Sequence, residues 1–157
     1  MKKWVILIVS ILSLLIICVP LFAEGDDISN GRTLGLGMEV GFPWGGLVSA
    51  RYWFNSQLGV EGIIFAWGDL ADITGTFTGR VLYKLSGTET VGFYIVTGAT
   101  IPFSPYGENE LVFSSAGGIE FNLPFAPNLA LNLEFGGALS TTGTFMMALG
   151  TGIHFYF

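Results

Sequence analysis

Eight stretches of the chain alternate apolar and polar residues with a period of two, and this alternation constrains the fold more than any other feature. A two-residue period is typical of a β-strand with one apolar face. Segments rich in Gly, Pro, Asn, Asp and Ser separate the stretches, and no stretch has a sustained helical period. The pattern predicts an all-β fold whose strands cover Thr33–Pro43, Gly46–Phe54, Leu58–Trp67, Ile73–Leu85, Val91–Phe103, Leu111–Leu123, Leu129–Leu139 and Phe145–Phe157.

Charged residues inside these stretches fall on the face opposite the apolar residues. Arg51, for example, alternates with Ala50 and Tyr52. A soluble barrel needs an apolar interior and a polar exterior, whereas an Arg or Lys facing lipid at the bilayer midplane costs about 2–4 kcal/mol. We therefore expect an eight-stranded antiparallel up-and-down transmembrane β-barrel, with strand eight beside strand one. Its interior charge network would contain Glu39, Arg51, Glu61, Arg80, Lys84, Glu120 and Glu134.

The N-terminus has the features of a cleavable signal peptide. Lys2 and Lys3 precede an apolar run that ends near Ala23, and an acidic stretch follows. We expect a signal peptide over 1–23, a short leader over 24–32 and the barrel over 33–157. A retained membrane anchor and a lipoprotein modified at Cys18 are the alternatives, although residues 15–17 before Cys18 are large.

The charge of the expected mature chain argues against some partners. Cleavage removes two of the six basic residues and none of the twelve acids, which leaves a net charge of −8 on 134 residues. Such a charge argues against nucleic acid as a partner. The length suits one domain, and without Cys18 the chain has no thiol for a disulfide.

Two motifs carry a resemblance to a known class. The chain ends in Gly152-x-x-Phe155-x-Phe157, and Arg51 to Phe54 is followed by Gly59-Val60-Glu61. With these motifs the region 31–157 resembles the small eight-stranded outer-membrane barrels of the OmpA/OmpX type. The resemblance implies the bacterial cell outer membrane, outer-membrane lipids as surroundings, a monomer, and an assembly machinery that recognises Gly152, Phe155 and Phe157. The connections are short throughout, which argues against the adhesion and invasion roles that long loops carry.

The expected interior leaves two functions open. Eight strands enclose a tube that side chains alone can fill, and ionised groups inside it must pair. A plugged interior predicts a structural or interaction role in the membrane. The alternative is a porin-like channel for small solutes or ions, lined by carboxylates.

Catalytic and metal signals are weak. His154 is the one histidine, and Ser114 and Ser115 lie in another stretch without a nucleophile motif. We therefore expect no enzyme and no cofactor. We also assign no metal site, although four acids in the connections could hold a divalent cation weakly or simply be solvated: Asp69, Asp72, Glu108 and Glu110.

Overall fold

The computed structural model describes residues 33–68, 72–104 and 110–157. The signal peptide and leader expected over 1–32 lie outside the described residues. Among the described residues, no helix has the length and apolar character needed to cross a bilayer. The strands are β1 (Leu34–Phe42), β2 (Val48–Trp53), β3 (Leu58–Trp67), β4 (Thr74–Gly87), β5 (Val91–Phe103), β6 (Val112–Leu123), β7 (Ala126–Ser140) and β8 (Phe145–Tyr156).

The eight strands form a closed antiparallel barrel in chain order. Each strand pairs with the next, and β8 returns to β1 with Gly35 opposite Tyr156 and Phe42 opposite Leu149. The predicted strand count, the up-and-down order and the closure are confirmed. Because the sheet closes on itself, none of its eight strands is an edge strand. We call the end that carries Thr33 and Phe157 the turn end, and the opposite end the loop end.

The two faces of the wall differ in chemistry as the alternation predicts. In β7, Leu133 and Phe135 are 55% and 60% exposed on the outside, whereas Glu134 between them is 3% exposed on the inside. The same contrast separates Val40 from Glu39 in β1. The barrel is apolar outside and polar inside, which is the arrangement of a transmembrane barrel.

Three predicted strand boundaries were wrong by two or three residues. β7 begins at Ala126 instead of Leu129, because a register shift between Asn122 and Leu123 lets pairing continue past the turn. A second shift, between Lys84 and Ser86, extends β4 to Gly87. β2 is shorter than expected and begins at Val48.

Inward-facing glycines make room for large side chains in the narrow interior. A Cβ atom at Gly35 would lie 2.7 Å from a ring carbon of Tyr156, and one at Gly118 would clash with the ring of Tyr94. Gly117, which points outward, has nothing within 4 Å of its Cβ position. The inside of the wall is therefore fitted closely around particular aromatic rings.

Candidate functional site

The polar interior of the barrel is the candidate site. Six strands each contribute one charged side chain to it, and each of these residues is at most 4% exposed: Glu39, Arg51, Glu61, Arg80, Glu120 and Glu134. The strand register explains part of the arrangement, because Glu61 stands directly opposite Arg51 on one side and Arg80 on the other. The structure thus brings together six of the seven residues expected in the interior network.

Arg51 joins carboxylates from three strands. Its Nη1 donates to Glu120 Oε2 at 2.7 Å, and its Nη2 donates to both oxygens of Glu61 at 3.3 Å. Glu134 Oε1 lies 3.9 Å from Nη2. Because Glu120 is 69 positions away along the chain, this arginine links distant parts of the wall across the lumen.

Arg80 has a similar role nearer the loop end. Its Nη2 and Nε donate to Glu61 Oε2, the latter at 3.1 Å, and its Nη1 donates to Glu134 Oε2. Glu39 Oε1 lies 3.8 Å from Nη2. The guanidinium also lies 4.9 Å from the centre of the Trp44 ring, which suits a cation–π contact.

Neutral side chains complete the network. Two of them, Tyr94 and Trp44, were not among the residues predicted for the interior. Tyr94 donates to Glu134 Oε1 at 2.6 Å, Tyr156 donates to Glu120 Oε2 at 2.9 Å, and Asn132 Nδ2 donates to Glu39 Oε2 at 2.9 Å. The inward phase of Tyr94, opposite the Gly118 position that accommodates it, is the signal that could have identified it.

Trp44 is buried in the lumen near the loop end. The predicted strand bounds place it in the connection between the first two strands, but its side chain is 1% exposed and lies in the barrel interior. Its carbonyl accepts a hydrogen bond from Thr78 Oγ1 at 3.2 Å, and the next carbonyl, of Gly45, accepts one from Thr76 Oγ1 at 3.2 Å. The β1–β2 connection is therefore tied to the inner wall of β4.

Ser49, His154 and Glu61 are adjacent but do not form an acyl-transfer triad. Ser49 Oγ donates to Glu61 Oε1 at 2.6 Å and lies 2.9 Å from His154 Nε2. Glu61 Oε1 lies 3.1 Å from the same Nε2, and Nδ1 has no hydrogen-bond partner in the described structure. A triad needs its carboxylate on the ring nitrogen remote from the nucleophile. Ser114 is buried in the wall of β6 and Ser115 faces outward, so neither joins His154.

Lys84 is the one expected network residue that lies apart. It is half-buried near the turn end, with Nζ 4.3 Å from the centre of the Trp53 ring. It lines a cavity of about 930 Å³ that also touches Glu120, Asn122 and Tyr156. The interior thus has a tightly bonded middle and a wider space at the turn end.

The residues of the expected assembly signal lie on β8. Phe155 and Phe157 face outward, 45% and 63% exposed, with ring centres 5.1 Å apart. The backbone N–H of Phe157 donates to Leu34 O at 2.9 Å. Gly152 lies inward, against Glu39 and Asn132.

The acids expected in the connections have different surroundings. Asp69 and Glu108 lie outside the described residues, and Asp72 is exposed. Glu110 Oε1 accepts hydrogen bonds from the backbone N–H of Thr142, at 3.1 Å, and from its hydroxyl. Bonds from Ser140 and Thr142 lower the pKa of the Glu110 carboxyl. The β5–β6 connection is therefore linked to the β7–β8 turn.

No protein-family model matches the chain, and no curated protein matches it. It is similar to the crystal structure of Ail, the attachment invasion locus protein of Yersinia pestis, with 16% identity, a TM-score of 0.46, and coverage of 79% of this chain and 95% of that chain. A second structure, Ail in complex with the heparin analogue sucrose octasulfate, gives 17% identity, a TM-score of 0.39 and the same coverage. Both similarities are weak in sequence and in coordinates.

Proposed function

We propose that this chain is a bacterial outer-membrane β-barrel protein with a closed polar interior, and that its role there is structural or interactive. The observation that carries the proposal is the polarity of the wall: apolar side chains cover the outside, and six of the seven charged side chains of the strands lie inside and buried. Such a surface is stable only against lipid or another apolar partner, because large exposed apolar areas are rare on soluble monomers.

Strand length supports a membrane-spanning position. β4 to β8 contain 12 to 15 residues each, and a tilted strand needs about 9–11 residues to cross the hydrocarbon core. Closure of β8 on β1 satisfies the backbone groups that lipid could not. Outer-membrane lipids are therefore the proposed surroundings, and the outward Phe155 and Phe157 are the proposed contact for the assembly machinery.

The filled interior favours a plug over a channel. Two arginines cross-link carboxylates from four strands, with Tyr94 and Tyr156 bonded to the same carboxylates. Trp44 covers this layer at the loop end. Eight strands leave an interior that side chains can fill, and these cross-links support the proposed plug in the middle layer.

Single-channel recording in planar bilayers tests this proposal. The refolded barrel is expected to insert without measurable conductance steps. A double variant, Arg51→Ala with Trp44→Ala, should produce steps, because it removes a central cross-link and the cover at the loop end. Regular conductance steps from the unmodified protein would contradict the plug and support the porin-like alternative.

A further inference from the structure

The charges inside the barrel do not balance. Among the described residues, the buried interior group contains four glutamates and two arginines, an excess of two negative charges. Lys84 lies outside this group, half-buried over Trp53 at the turn end. An uncompensated charge inside a protein costs several kcal/mol. A carboxylate in this group that no guanidinium contacts closely is therefore a candidate site for a further cation.

The excess is concentrated at Glu39. Glu61, Glu120 and Glu134 each accept a hydrogen bond from a guanidinium. For Glu39 the nearest guanidinium nitrogen, Arg80 Nη2, is 3.8 Å away. Its hydrogen bond in the described structure comes from the neutral Asn132 amide, and its Oε1 is buried without a hydrogen-bond partner.

Further ligand atoms surround this carboxylate. Glu39, Glu61 and His154 each offer a buried donor atom, and these atoms all lie within 4.8 Å of one another. Asn132 Oδ1 is also buried without a hydrogen-bond partner. A Cβ atom at Gly152 would lie 2.6 Å from Asn132 Oδ1 and would clash with Glu39 Oε2, so both oxygens lie over the same glycine.

We propose that Glu39, Glu61, His154 and the side-chain oxygen of Asn132 form a buried site for one divalent cation. Carboxylate oxygen with imidazole nitrogen is a ligand set that Zn²⁺ and Mn²⁺ accept. One dication cancels the excess of two negative charges. Glu61 then bridges the ion to Arg51 and Arg80, in keeping with the hydrogen bonds that metal-bound carboxylates receive from outer partners.

The indole N–H of Trp44 does not replace such an ion. Trp44 Nε1 and Glu39 Oε1 are both without hydrogen-bond partners, and they lie 2.8 and 3.0 Å from the Cβ position of Gly150. A small movement would let the indole donate to this oxygen. That bond would satisfy one lone pair, but it would bring no positive charge. A proton on Glu39 would bring a positive charge, so the experiment must distinguish a protonated Glu39 from a bound metal ion.

Metal retention after refolding tests the site. The protein is unfolded with a chelator, refolded into detergent micelles with Zn²⁺ or, separately, Mn²⁺, and passed through a desalting column before the metal is counted. We expect about one ion per barrel, since the described site has one set of ligands. Glu39→Gln is the test variant. Glu120→Gln is the matched control, because it makes the same change at a buried glutamate outside the site.

The outcomes differ for the two variants. Loss of a residue that only orients a ligand costs about 10–100-fold in metal affinity, so Glu39→Gln should weaken binding at least tenfold, and Glu120→Gln far less. Zn²⁺ should raise the unfolding temperature of the wild type and of Glu120→Gln, but not of Glu39→Gln. Without metal, Glu39→Gln should unfold above the wild type, which also shows that it folds.

Two results would overturn the proposal. One is a wild type that retains neither ion, with an infrared band of a protonated carboxyl that disappears in Glu39→Gln; the compensating charge would then be a proton. The other is equal retention of metal by Glu39→Gln and the wild type, which would place the ion elsewhere.

Discussion

At the scale of single residues, the two arginines matter most because each joins several buried carboxylates. Removing Arg80 would leave Glu39, Glu61 and Glu134 with less compensation. Breaking a buried pair by removing one partner costs about 3–5 kcal/mol. Arg80→Ala should therefore lower the free energy of unfolding by about that amount, and Arg51→Ala similarly, as measured by urea denaturation in lipid vesicles.

Lys84→Ala is the control for this prediction. Lys84 is half-buried near the turn end, with its ammonium over the ring of Trp53; cation–π contacts near the surface contribute about 0.5–1 kcal/mol. If Arg80→Ala and Lys84→Ala have equally small effects, the interior network is not important for stability.

Two neighbouring glycines provide a second test at the residue scale. Gly118→Ala would place a methyl group against the ring of Tyr94, and such overpacking costs about 1–3 kcal/mol. Gly117→Ala adds the same group on the open outer face, so it should be neutral or slightly stabilising. Thermal unfolding of both variants measures the difference. A lower unfolding temperature for Gly117→Ala than for Gly118→Ala would mean that the inward and outward faces of β6 are assigned wrongly.

At the scale of elements, the two ends of β8 have similar outward aromatics but different expected roles. Phe157→Ala should leave unassembled protein in the periplasm, because Phe157 belongs to the proposed recognition signal. Phe145→Ala, at the other end of the same strand and 73% exposed, should assemble normally. Membrane yield after fractionation is the measurement, and equal yields would remove the special role of the C-terminal residue.

The link between the β5–β6 connection and the β7–β8 turn should depend on pH. The pKa of Glu110 is lowered from 4.5 in the folded state, so its stabilising bonds are fully present above that value and are lost as pH falls through the lower, folded pKa. The protection of the Thr142 amide against hydrogen exchange, relative to an unprotected amide at the same pH, should therefore fall in acid. Glu110→Gln should remove this dependence, and an unchanged pH response in that variant would exclude the carboxyl as its origin.

At the scale of the whole molecule, alternation was sufficient to predict the strand count, the closure and the inward face of the wall. It could not predict Trp44, because the residue lies in a Pro-Trp-Gly connection where the two-residue period ends. Alternation also does not predict how far neighbouring strands are shifted along the barrel axis. This shift determines that Arg51 reaches Glu120 while Lys84 remains at the turn end. The start of β7 depends on the register shift between Asn122 and Leu123, and the two-residue period of the sequence does not indicate this shift.

Fluorescence quenching by brominated lipids tests the central claim that the apolar outer wall of this barrel faces the membrane. One variant keeps a single tryptophan introduced by Phe135→Trp, at a position that is 60% exposed on the outer wall. A second keeps only Trp53, which is 3% exposed inside. Lipid bromines should quench the tryptophan at position 135 strongly and Trp53 weakly. A tryptophan at position 135 that is quenched no more than Trp53 would contradict the claim.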